Sequence, residues 1–87
     1  MKTIYLIVMD TTKQREDPAQ MYFYTGSALN DICGILTAVA EQNGTPVSDM
    51  RLFVAPDRNT WSRMYSEFTA RADWSRWSER SDVPAEN

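Results

Sequence analysis

The chain has no histidine and a single cysteine, Cys33, among its 87 residues. Without an imidazole, neither a Ser-His-Asp nor a Cys-His arrangement can be assembled for nucleophilic catalysis. A lone thiol cannot close an intramolecular disulfide, and with no histidine beside it cannot build a zinc site of the usual kind. Such cysteine usage fits a reducing, cytoplasmic setting. Glycine is scarce too: Gly26, Gly34 and Gly44 stand far apart, so there is no glycine-rich loop to cradle a phosphate. Long apolar runs are missing. The apolar stretch that begins at Ile4 stops at Asp10, too short for the h-region of a secretory signal, and nothing approaches the roughly 18 apolar residues of a membrane-spanning helix. Positive charge is in the minority, with 9 Lys and Arg against 12 Asp and Glu and a formal net charge of -3. Affinity for nucleic acid comes largely from neutralised phosphates, so an acidic domain is poorly placed for it, and for anionic membranes likewise. The absences together predict no catalytic residues, no metal, no cofactor and no membrane association.

What is present is an ordinary globular composition, 43% hydrophobic and 24% charged, of a size that supports one core. A single domain over residues 1–80 is expected, with a disordered tail over 81–87. Thr3 to Met9 alternates two apolar sets, Ile4, Leu6 and Val8 against Tyr5, Ile7 and Met9, the pattern of a central strand covered on both faces. The polar segment 11–20, which contains Pro18, reads as an exposed, mobile connection. Met21 to Thr25 reads as a second strand broken by Gly26. Ser27 then offers an N-cap to a helix whose stripe is Leu29, Ile32, Cys33, Leu36, Val39 and Ala40, and Asn43-Gly44 supplies its stop. Met50 to Val54 is a third strand, ended by Pro56. Asp57, Asn59 or Thr60 is placed to cap a second helix with a core stripe of Trp61, Met64, Tyr65, Phe68 and Ala72.

The element order is therefore ββαβα. A helix between the second and third strands returns the chain by a right-handed crossover, and the central character of the first strand places it between the other two. The expected fold is α/β of the α+β type: a two-layer sandwich, a mostly antiparallel three-stranded sheet in order 2-1-3 with both helices on one face. Alternation assigns Ile4, Leu6, Val8, Met21, Phe23, Leu52 and Val54 to the helix-covered face. Tyr5, Ile7, Met9, Tyr22, Tyr24, Arg51 and Phe53 fall to the other, an aromatic surface with polar tips. That surface is expected to meet the chain's own tail, an identical subunit in a homodimer, or a different protein. Single-stranded nucleic acid stacked on Tyr5, Tyr22 and Phe53 is the alternative, with the right platform but no basic surround.

Three Trp-Ser pairs crowd the last third of the chain, at Trp61, Trp74 and Trp77. At about 100° per residue, Met64, Tyr65, Phe68 and Ala72 lie within about 60° of Trp61, whereas Trp74 and Trp77 fall near 220° and 160°. Trp61 therefore belongs to the core stripe. If Asp73 interrupts the helix, the other two rings turn back onto the domain; if the helix runs on, Trp74 and Trp77 form an adhesive stripe with Arg76 and Arg80. Arg63, Glu67 and Arg71 follow i, i+4 spacing and read as a solvated, mutually paired face. Cys33 reads as a core thiol. Asp10, at the carboxyl end of the central strand, stands where α/β sheets tend to gather ligands, but a lone carboxylate is weak support for chemistry.

No motif names a family. The expected role is that of a non-enzymatic, small acidic interaction domain that binds a protein partner, self-associates, or both. Chains of this size and lack of motif are common among inhibitors and regulators encoded by phages and other mobile elements. The residues expected to bind are Trp74, Trp77, Arg76, Arg80, Tyr5, Tyr22, Tyr24 and Phe53.

Overall fold

The computed structural model describes residues 3–26 and 32–79. Strand β1 (Ile4–Asp10) is followed by β2 (Met21–Gly26), helix α1 (Ile32–Asn43), a 3-10 turn over Val47–Asp49, strand β3 (Met50–Ala55), helix α2 (Arg58–Arg71) and a 3-10 segment over Trp74–Glu79. The strands form one antiparallel sheet in the order β2-β1-β3, the element and strand order read from the sequence. Asp57 is the N-cap of α2, its carboxylate accepting the Thr60 N–H at 2.8 Å. The helix is thereby started at the first of the positions the sequence offered. Gly44, at φ 66°, takes the left-handed conformation that terminates α1.

Register fixes which side chains share a face. Val8 lies opposite Tyr22 and Leu52, Leu6 opposite Tyr24 and Val54, and Ile7 opposite Phe23 and Phe53. The phase of β2 is therefore the reverse of the expected one: Tyr22 and Tyr24 belong with Leu6 and Val8, and Met21 and Phe23 with Ile7 and Met9. The helices also divide between the two faces rather than sharing one. Val39, Ala40, Ile35 and Leu36 of α1 pack with Val8, Met50, Tyr22, Tyr24 and Leu52. On the opposite face, Trp61, Tyr65 and Phe68 of α2 pack around Phe23, with Tyr5 against Trp61. The physical reason is in β1, which has no polar face to give to water. Ile7 and Val8 point to opposite sides, and both are almost wholly buried, 2% and 0% exposed. One helix over each face satisfies both.

The connection 11–20 is ordered by successive turns. Lys13, Asp17 and Gln20 donate their amides to Asp10, Gln14 and Asp17 carbonyls, and Asp17 accepts from the Ala19 N–H. Pro18 and Ala19 are buried. Thr11, Thr12, Gln14, Arg15 and Glu16 are exposed, as the polar composition suggested, and the same composition supplies the segment's internal hydrogen bonds. Cys33 is exposed, not a core thiol, because α1 turns Val39 and Ala40 inward rather than its first turn.

Candidate functional site

A continuous set of ring contacts runs over the α2 face of the sheet. Tyr5 touches Trp61, with ring centroids 5.8 Å apart, and Trp61 stacks on Tyr65 at 6.0 Å with an interplanar angle of 6°. Tyr65 and Phe68 both meet Phe23, at 5.1 and 5.7 Å, and Trp74 stands edge-on to Phe68 at 5.8 Å. Such tilted and edge-to-face arrangements add to burial and hold the rings in fixed orientations. Trp61 is further held by its indole N–H, which donates to the Leu6 carbonyl at 3.1 Å. The Arg71 guanidinium lies 5.2 Å from the Phe68 ring centre and donates to the Arg15 carbonyl, so it ties α2 to the β1–β2 connection instead of pairing with Glu67.

The ladder is dry at its centre and wet at two places. Phe68 is 2% exposed, whereas Tyr65 is 47% and Trp74 41% exposed. Trp74 reaches this position because α2 ends at Arg71 and Ala72 turns extended, with φ -74° and ψ 142°. Asp73 secures the break: its amide donates to the Glu16 carbonyl at 2.6 Å, and its carboxylate accepts from the Ser75 amide and hydroxyl. These Ser75 bonds hold its carboxyl below the ordinary value. The Trp74 indole N–H then donates back to the Thr69 carbonyl at 2.8 Å. Arg76 is brought to 3.5 Å from the Asp73 carboxylate. Of the two alternatives the sequence left open, the break at Asp73 is the one present, and it lays Trp74 partly on the domain while leaving much of the ring outward.

The other residues named from sequence do not gather into one site. Tyr22 and Tyr24 lie on the α1 face against the core, and burial raises the Tyr24 hydroxyl above its ordinary pKa, with Tyr22 adding to it. Tyr5 and Phe53 lie on the α2 face, Tyr5 half-buried on Trp61 and Phe53 43% exposed on the edge strand. Tyr5, Tyr22 and Phe53 therefore form no common stacking platform. The Trp77 side chain, Arg80 and the tail over 81–87 lie outside the described residues. Tyr65 was placed on the core stripe by its helical phase, and its exposure is a finding of the structure. Its amphipathic ring was the signal available, since tyrosine suits a position with one dry side and one wet side.

Asp10 is fully buried. One carboxylate oxygen accepts from the Thr12 amide and hydroxyl at 2.9 and 2.6 Å, and the other from Asn43 Nδ2 at 2.8 Å. Asn43 in turn donates to the Ala19 carbonyl and accepts from the Tyr22 hydroxyl. Burial alone would raise the Asp10 carboxyl, but these hydrogen bonds outweigh it and hold the pKa below the ordinary carboxylate value. The group joins the end of β1 to the end of α1, and its oxygens are used in doing so. Among the described residues no cluster of three or more His, Cys, Asp or Glu is placed to hold a metal ion, and no helix is long and apolar enough to cross a membrane. No protein-family profile, curated protein or solved structure matches the chain.

Proposed function

We propose that the protein is a non-enzymatic interaction domain that binds a protein partner through the aromatic surface around Tyr65 and Trp74, acting as an inhibitor or regulator by occupying a surface on that partner. The observation that carries this reading is the exposure of these two rings, 47% and 41%, on a ladder whose inner members are packed. Large aromatic side chains already fixed in orientation lose little conformational freedom on binding, which is what distinguishes energetically dominant interface residues. Arg76, with 43% of its side chain exposed beside Asp73, supplies a polar group at the rim of this patch. A partner with an apolar pocket rimmed by hydrogen-bond acceptors fits it best. A cytoplasmic setting accords with the exposed free thiol of Cys33.

The test compares the wild-type protein with a Tyr65→Ala, Trp74→Ala double variant as bait in extracts of the source cell, with Arg63→Ala as a surface control. Proteins retained by the wild type and by the control should fall at least about tenfold on the double variant, the loss expected of dominant interface residues. Equal retention by a double variant that still melts cooperatively would overturn the reading.

A further inference from the structure

Among the described residues β3 is an edge strand, paired only with β1, and the direction of its outward hydrogen-bonding groups follows from its neighbours. The Thr11 N–H donates to the Asp49 carbonyl, so Asp49, Arg51, Phe53 and Ala55 direct their backbone groups toward β1. Met50, Leu52 and Val54 direct theirs outward, and the Met50 N–H is already given to the Val47 carbonyl. Among the described residues nothing pairs with the outward amide and carbonyl of Leu52 and of Val54. Both faces of this edge are apolar: Phe53 is 43% exposed on one, Val54 48% on the other. Edge strands are commonly guarded by lysine, proline or a bulge. Between Leu52 and Val54 β3 has none of these, and its pairing with β1 runs without a bulge. Its one charged residue, Arg51, folds its guanidinium back onto the Ser48 and Met50 carbonyls at 3.0 and 2.8 Å.

We propose that two copies of this chain pair β3 to β3, antiparallel about a two-fold axis at Phe53, to form one continuous sheet. A two-fold axis perpendicular to the sheet keeps each side chain on its own side, so only residues of equal parity can face one another. Centred on Phe53, Leu52 faces Val54 of the partner subunit, and the outward groups of these residues exchange reciprocal hydrogen bonds on both sides of the axis. Phe53 meets the partner's Phe53 in the close, non-hydrogen-bonded position, where aromatic side chains gain most from contact. The neighbouring registers fail on backbone chemistry. A centre at Leu52 requires the Met50 N–H, which is occupied, and a centre at Val54 requires an N–H from Pro56, which has none. The dimer rests on the reading of the chain as an interaction domain but uses a surface separate from Tyr65 and Trp74.

The experiments are sedimentation of the full chain over a range of concentrations, with variants at Trp74 and Val54, and a cross-linking comparison of cysteine variants. The wild type and Trp74→Ala should show the same concentration-dependent dimer, and Val54→Lys should weaken it at least about tenfold. In a Cys33→Ser background, Phe53→Cys should form an intermolecular disulfide under mild oxidation, whereas Arg63→Cys should not. A wild type that stays monomeric throughout would overturn the proposal. So would a folded Val54→Lys that dimerises like the wild type, or Phe53→Cys that cross-links no faster than Arg63→Cys. If Val54→Lys does not fold, the cross-linking comparison decides. Loss of the dimer in Trp74→Ala would move the interface to the aromatic surface and overturn the edge pairing.

Discussion

Asp10 is a charged side chain with no exposure to water, and its role follows from the donors that surround it. A buried carboxylate is tolerable when its oxygens accept hydrogen bonds, and here Thr12 and Asn43 provide them. Removing the acceptor strands those donors in a buried site, at about 1–3 kcal/mol for each group left unsatisfied. Asp10→Ala and Asn43→Ala should therefore each lower stability in urea denaturation by a few kcal/mol. The double variant should lose less than the sum, because one hydrogen bond is removed in both. Strict additivity would show that the two side chains act independently. The sequence placed Asp10 at the sheet edge where α/β folds tend to gather ligands; what it could not reveal was Asn43, far along the chain, brought to the same point by the end of α1.

At the scale of elements, strands and helices were legible wherever pattern was unambiguous. The α2 stripe of Trp61, Met64 and Phe68 and the three strands could be read directly, whereas the cap was legible only as one of Asp57, Asn59 and Thr60, of which the structure uses Asp57. β2 could not be phased, because Met21-Tyr22-Phe23-Tyr24 is apolar or aromatic at every position and alternation has nothing to distinguish. Its phase is fixed only by hydrogen bonding to β1. The second apolar face of β1 calls for cover, which alternation assigns to the tail, an identical subunit or a partner; α2 supplies it instead. The break after α2 was legible as an alternative centred on Asp73, and its geometry gives a prediction. Asp73→Ala removes the acceptor for both Ser75 groups. The near-UV circular dichroism assigned to Trp74 against Phe68 should weaken, while far-UV helix content and the cooperative transition remain. An unchanged aromatic spectrum would show that the turn is held by other contacts.

Across the whole molecule, the absence of histidine reappears as a pH profile. With no histidine in the chain, stability should be nearly flat between about pH 5 and 8. Asp10, Asp57 and Asp73 are all held below the ordinary carboxyl value of 3.8. A depressed native pKa stabilises the fold above that value, and the contribution is lost as pH falls through the native pKa. Melting temperatures should therefore hold steady to near pH 4 and then drop, with a shallower drop in Asp10→Asn. A marked decline already between pH 7 and 5 would contradict this.

The central position of β1 also has a consequence for synthesis. β1 leaves the ribosome before its partners, yet both its edges and both its faces are satisfied only by segments that follow, and β3 and α2 come last. At ordinary elongation rates this leaves a bare apolar strand waiting on the order of seconds, longer than a hairpin takes to form. The nascent chain thus passes through an interval when its most insoluble segment is half-clothed by β2 alone. Chaperone engagement, if this chain needs any, belongs to that interval and to Ile4–Asp10.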